Sequence, residues 1–351
     1  MVYLLFAVGL ILLLAGAEFL VSSSSKVAVR YGFSPILIGI TIVAFATSAP
    51  EIAVSVGAAL ADQSTIAIGN VLGSNVANIL LILGLSALLA PVTISKRIIR
   101  LDIPLMIGIT LIVYLLSLDG AISRIDGIIL LLVFVAFMVL QVKQARKEKN
   151  AADIEEIKPT SKPLWYQILW FLLGLTLLVV GADFLVDNGV LIARTWGMSE
   201  LVIGLTIIAI GTSLPEVATS VLASYKGEQD LSVGNVIGSN IFNLLLVLGI
   251  SSVISSNGLI VPESSIVFDF PFLIAVSVAC IPIFFTGFEI ARWEGGVFIA
   301  YYVAYLLYLI LESTQHDLLE GFSLVMGVFV IPITVLTILV LVFRFWKRKK
   351  K

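Results

Sequence analysis

A carboxylate stands inside an apolar stretch long enough to cross a bilayer, and the chain does this twice. Thr47-Ser48-Ala49-Pro50-Glu51 and, 165 residues later, Thr212-Ser213-Leu214-Pro215-Glu216 each have long apolar segments on both sides. An ionisable group at a membrane helix centre costs about 2.5–3.5 kcal/mol on insertion scales, so it marks a functional site by default. Two in matched positions make a fold in which both meet the natural expectation.

The rest of the composition agrees with a membrane setting. Hydrophobic residues make up 60% of the 351 and charged residues 13%, with a mean hydropathy of +1.12, which excludes the soluble globular class. One cysteine, Cys280, and one histidine, His316, leave no disulfide framework and no soft-metal cluster. Any ion handled is therefore a hard one bound through oxygen. No cofactor and no nucleic-acid partner is expected, and the chain offers no membrane histidine for an intramembrane enzyme. Residues 2–21 lack a basic leader and their pattern returns at 167–186, so they read as a membrane helix rather than a signal peptide.

Apolar runs of about 18 to 25 residues predict transmembrane helices. Ten lie near 2–21, 35–61, 66–90, 101–118, 125–142, 164–187, 200–225, 231–255, 266–287 and 293–311, and an eleventh near 321–345. The fold class expected is an all-α polytopic membrane protein. Aligning 38–86 with 203–251 needs no gap, pairing Gly39 with Gly204, Thr41 with Thr206, Asn70 with Asn235, Asn75 with Asn240 and Gly84 with Gly249. The same offset pairs Glu18 with Asp183, both expected near helix ends in structural roles. Asp102 meets Asp269, and Asp126 meets Glu294, after a shift of a few residues; these four are expected to be caps or interfacial charges.

The organisation is thus a first five-helix repeat (1–142), a linker (143–163), a second repeat (164–311), and an extra helix with a basic tail (312–351). Five is odd, so the second copy should be inverted. With the linker in the cytoplasm, 19 of the 21 Lys and Arg residues fall on that side, and only Arg124 and Arg194 fall outside. The expected topology is an outside N-terminus and a cytoplasmic C-terminus. Exposed His316 should be solvated in an outside loop.

A proline inside a helix removes one donor and releases the carbonyl four residues back, here of Ala46 and Gly211. Such breaks at a repeat interface are where transporters build their sites. Thr47 and Ser48 lie four and three residues before Glu51, which predicts one shared face; Ser74 and Asn78 are again four apart. The second half supplies Thr212, Ser213, Glu216, Ser239 and Asn243. Carboxylate, amide, hydroxyl and carbonyl oxygens suit Ca2+ or Na+. Two facing carboxylates in a low dielectric need one Ca2+, two monovalent cations or two protons, which favours mutually exclusive occupancy. Thr47, Ser48, Gly73 or Gly84 taken singly reads as a packing or kinking residue, whereas a buried carboxylate has no packing use. Asn70, Asn235, Asn75 and Asn240 fit either ligation or a bond across helices.

Two gapless copies of T-S-x-P-E followed by G-N-V-x-G-S-N-x-x-N resemble the paired alpha repeats of the cation/calcium exchanger superfamily, in particular its sodium/calcium exchanger branch of prokaryotic type. The resemblance spans roughly residues 1–311. It implies ten helices in two inverted halves, with ions held between the second, third, seventh and eighth. It assigns ligation to Thr47, Ser48, Glu51, Ser74, Asn78, Thr212, Ser213, Glu216, Ser239 and Asn243, with backbone carbonyls near Ala44 and Ala209. The implied activity is Na+/Ca2+ antiport in a cell membrane by alternating access, the first and sixth helices sliding over a rigid core. A H+/Ca2+ antiporter is the alternative, and a passive channel a third reading. Potassium-dependent relatives carry Asp where this chain has Asn243, which argues against potassium dependence. The eleventh helix lies beyond the ten-helix core; membrane lipid is one expected partner and a second copy of the chain, met through that helix, another.

Overall fold

The computed structural model of the protein describes residues 1–151, 163–198, 203, 207, 209–285 and 287–349. Among the described residues nine helices are long and apolar enough to cross a membrane, and one bent pair makes a tenth span. We number them α1 (Val2–Tyr31), α2 (Pro35–Thr47) and α3 (Ala49–Leu60) as the bent pair, α4 (Ser64–Leu89), α5 (Ile98–Leu116) and α6 (Arg124–Ala151). There follow α7 (Leu164–Thr195), α8 (Leu214–Tyr225), α9 (Gln229–Ile254), α10 (Ser265–Phe285), α11 (Arg292–Ser313) and α12 (Leu318–Leu341). The predicted span 200–225 lies partly outside the described residues, as do Gly204, Thr206, the linker positions 152–162 with Lys158 and Lys162, and the last two lysines. Its described part is the turn Ala209–Gly211 and then α8.

Helices α4 and α9 form the centre: 78% of the apolar window of each is buried, against none of α12. Glycines let the backbones around them close up. A Cβ on Gly39 or Gly234 would lie within 3.0 Å of the facing backbone, so α2 rides directly on α9. Gly84 of α4 meets Gly295 of α11, and Gly249 of α9 meets Gly127 of α6 in the same manner.

The peripheral pair α1 and α7 packs antiparallel through Gly9 against Gly181 and Gly16 against Gly174. Both helices run longer than the apolar pattern predicts, which corrects the placing of Glu18 and Asp183 near helix ends: each is interior. The run Ser22–Ser25 looks like a terminus, but Ser23 Oγ donates back to the carbonyls of Phe19 and Leu20 at 2.7 and 3.1 Å. Asn188 Nδ2 does the same to Phe184 at 2.8 Å. Side chains that satisfy themselves on the preceding turn allow the helix to continue.

Four two-residue strands, absent from the sequence expectation, tie loops across the molecule. β1 (Val92–Thr93) pairs antiparallel with β4 (Glu289–Ile290), and β2 (Ala121–Ile122) with β3 (Leu259–Ile260). Each pair takes one strand from either side of the linker. Asp126 and Glu294 are caps as expected: Asp126 accepts from Ser123 N at 2.9 Å, and Glu294 from Ala291 N at 2.8 Å. Asp102 and Asp269 are instead side-chain bonded, Asp102 to Arg97 and Gln141, Asp269 to Ser265 and Tyr305. His316 is exposed, its Nδ1 accepting from Leu318 N at 3.2 Å.

Candidate ion-binding site

The two proline motifs break their helices rather than bend them smoothly. α2 and α3 meet at Ser48 with a 46° bend. Pro50 and Pro215 thereby fall in the first turn of α3 and α8, where a missing N–H costs nothing. The breaks are as expected, but each proline stands at the start of the following helix rather than in a helix interior. Glu51 and Glu216 become third residues of their helices, in the positive field of the helix N-terminus.

Both carboxylates are 1% exposed. Their hydroxyl partners cross between the motifs. Ser48 Oγ donates to Glu216 Oε1 at 3.3 Å, and Ser213 Oγ to Glu51 Oε1 at 3.2 Å. The same-face expectation for Ser48 and Glu51 is thus corrected: each serine serves the glutamate of the other motif. Ser74 Oγ stays with its own, at 3.3 Å from Glu51 Oε1, and receives Ser213 Oγ at 3.1 Å.

The asparagines form two further matched sets. Thr47 Oγ1 donates to Asn235 Oδ1 at 3.2 Å and Thr212 Oγ1 to Asn70 Oδ1 at 3.3 Å. Asn235 and Asn70 are in turn anchored on Ser220 Oγ and Ser55 Oγ, both at 2.9 Å. Asn78 Nδ2 donates to Asn240 Oδ1 at 3.0 Å, and Asn243 Nδ2 to Asn75 Oδ1 at 3.1 Å. Ser55 and Ser220 escaped the sequence reading, although they match at the same 165-residue offset. Asn78 and Asn243 each open a π-helical turn, Asn78–Ile82 and Asn243–Val247, a distortion frequent at functional sites.

What remains unsatisfied is informative. Glu51 Oε2, Glu216 Oε2, Asn78 Oδ1 and Asn243 Oδ1 are buried without a donor, and Ser239 Oγ is buried without a partner. The first four can only accept. Four buried acceptors without a donor are costly alone and favourable around a cation. Neither glutamate is salt-bridged among the described residues, and no cluster of three or more His, Cys, Asp or Glu occurs among them. Ala44 is buried in the last turn before the break, where its carbonyl accepts Ser48 N at 3.0 Å; Ala209 opens the corresponding turn before α8.

The family model described as sodium/calcium exchanger protein matches residues 1–143 and 166–311. The chain belongs to the sodium/calcium exchanger family. Membership puts it among membrane transporters rather than enzymes. This exchanger-family chain is 31% identical over 344 residues to the sodium/calcium exchanger MaX1 of Methanosarcina acetivorans, covering 88% of this chain and 98% of that one. It is 45% identical over 252 residues to the putative antiporter CaxA of Alkalimonas amylolytica, covering 71% and 79%. A solved structure of the sodium-calcium exchanger NCX_Mj, soaked with 10 mM Na+ and 10 mM Sr2+, superposes with a TM-score of 0.74 at 33% identity, covering 86% of this chain and 97% of that one.

Proposed function

We propose that this family member is a secondary-active antiporter that exchanges Na+ for Ca2+ at one mid-membrane site. The observation that carries the reading is the set of four buried acceptor oxygens without donors, on Glu51, Glu216, Asn78 and Asn243. Two carboxylates are neutralised by one Ca2+ or by two Na+, so the two loads compete for the same charge. In this reading Thr47, Ser48, Ser74, Thr212, Ser213 and Ser239, with the carbonyls near Ala44 and Ala209, complete the ligand set. Hydroxyls rotate, so one shell can suit cations of different charge.

The same reading divides the chain into inverted halves, 1–142 and 164–311, about the linker 143–163, with 312–351 appended. The crossed serine pairs and the strand pairs β1–β4 and β2–β3 support it, because each joins one half to the other and each has its counterpart. Each strand pair also joins loops that the lysine and arginine distribution puts on one side. Alternating access follows if α1 and α7, which meet each other through glycine, slide as a unit over α4 and α9. The topology proposed is an outside N-terminus and a cytoplasmic linker in a cell membrane.

The test is 45Ca uptake into proteoliposomes loaded with Na+, against vesicles holding choline with an imposed pH gradient. Accumulation driven by internal Na+ alone is the expected result. Accumulation driven only by the pH gradient would replace Na+ with H+, and equilibration without accumulation would make the protein a channel.

A further inference from the structure

Away from the ion site, α1 and α7 enclose a polar cavity of about 240 Å³ at the end where α7 begins. Its walls carry Glu18, Ser22 and Lys26 from α1 and Gln167 and Trp170 from α7. Trp170 Nε1 is buried with no acceptor, although its ring is fixed against Phe19 at 4.5 Å and Tyr166 at 5.9 Å. Lys26 Nζ donates to Ser22 Oγ at 2.8 Å, which uses one of three protons. Among the described residues Lys26 is in no salt bridge, while Glu18 is taken by Lys226 from the turn after α8. The charges of Glu18, Lys226 and Lys26 therefore sum to +1. An unfilled lysine, an orphan indole N–H and net positive charge describe a receptor for an anion.

The surface beside the cavity narrows the class. Leu169, Leu173 and Val180 form an exposed stripe along α7, 55%, 39% and 37% accessible, on the part of its circumference next to Tyr166 and Trp170. On a membrane-spanning helix such a stripe is covered by acyl chains. Trp170 is six residues into α7, about 9 Å along its axis, and Trp165, Tyr166 and Trp170 form the aromatic belt of a headgroup region. Polar cavity and apolar stripe adjoin, as headgroup and tail do in one molecule. We propose that this cavity binds the phosphate of an anionic membrane lipid, with Lys26 and the Trp170 indole N–H as its donors and the lipid tail on the α7 stripe. The phosphate then bridges α1 to α7 at the end where no glycine contact joins them. This site stands or falls independently of which cations the protein exchanges.

Native mass spectrometry of the full-length protein in detergent, with phosphatidylglycerol, phosphatidylcholine or inorganic phosphate added, tests the assignment. The expected result is preferential retention of phosphatidylglycerol, reduced about tenfold by Lys26→Gln, the loss of one charge-assisted hydrogen bond. Trp170→Phe keeps the ring and should reduce retention less, and Lys26→Arg should restore it. Equal retention in the wild type and Lys26→Gln overturns the proposal, as does equal retention of the two lipids. Displacement of the lipid by millimolar inorganic phosphate would overturn the lipid assignment in favour of a free-anion site. Circular dichroism of each variant separates a lost ligand from a lost fold.

Discussion

The two halves of the molecule agree around the central carboxylates and part company at the periphery. At the centre, Ser48, Thr47 and Asn78 find the same partners, shifted by 165 residues, as Ser213, Thr212 and Asn243. At the edge, Asp102 and Asp269 occupy matching places but are held differently. Asp102 is fully buried and meets Arg97 at 3.4 Å and Gln141 at 3.3 Å. Asp269 accepts hydroxyls from Ser265 at 2.9 Å and Tyr305 at 3.2 Å. A peripheral carboxylate only has to be satisfied, and an ion pair or two hydroxyls will do. Oxygens that must converge on one point have far less latitude.

The largest effects are expected at the centre. Glu51→Gln and Glu216→Gln should each reduce Na+-driven 45Ca uptake on the order of hundredfold or more, the loss of one charged ligand. The losses should be alike, because each glutamate accepts the serine of the other motif and each leaves one buried oxygen without a donor. Uptake near the wild-type rate in either variant would sink the reading of a shared two-carboxylate site. Asn75→Ala and Asn240→Ala come next. The oxygen of each accepts the amide of the opposite asparagine, Asn243 or Asn78, and so fixes its orientation. Each should raise the KM for Ca2+ about tenfold with a smaller change in maximal rate, the cost of one buried hydrogen bond. A fall in rate at unchanged KM would instead assign them to the conformational step.

How much of this was legible in the sequence follows from the same comparison. The gapless repeat located Glu51 and Glu216, and the apolar runs located most spans, since both signals are local. A repeat does not say whether a residue's partner sits in its own copy, so Ser48 was matched with Glu51, three residues away, rather than with Glu216. Nor does spacing distinguish a ligand from the residue that aims it, which left Asn75 and Asn240 open. Polarity ended α1 too early because Ser23 satisfies its hydroxyl on its own helix. Two-residue strands carry no periodicity at all.

At the periphery the expected effects are on stability. Asp102→Asn removes the carboxylate from a pair in which Arg97 is only 12% exposed, and should cost about 2–4 kcal/mol. Asp269→Asn removes no ion pair; Ser265 and Tyr305 donate to different oxygens, so the amide keeps one of these bonds and obliges the other hydroxyl to turn and accept, and about 1 kcal/mol is expected. Thermal melts of the detergent-solubilised variants compare the two directly. Equal shifts would mean that the partners at the two edges are interchangeable after all.

The smallest effect is expected at Glu18 and Asp183, the matched pair inside α1 and α7. Glu18 reaches Lys226 across the fold, but its side chain is 46% exposed and that of Lys226 is 31% exposed. A pair so open to solvent is screened and contributes less than about 1 kcal/mol. Glu18→Gln should therefore barely move the melting temperature, and Asp183→Asn should do no more. A shift as large as that of Asp102→Asn would show that Glu18 and Lys226 meet out of water. In that case α1 would be pinned to the turn behind α8, and a sliding α1–α7 pair would have to break a desolvated ion pair in every cycle.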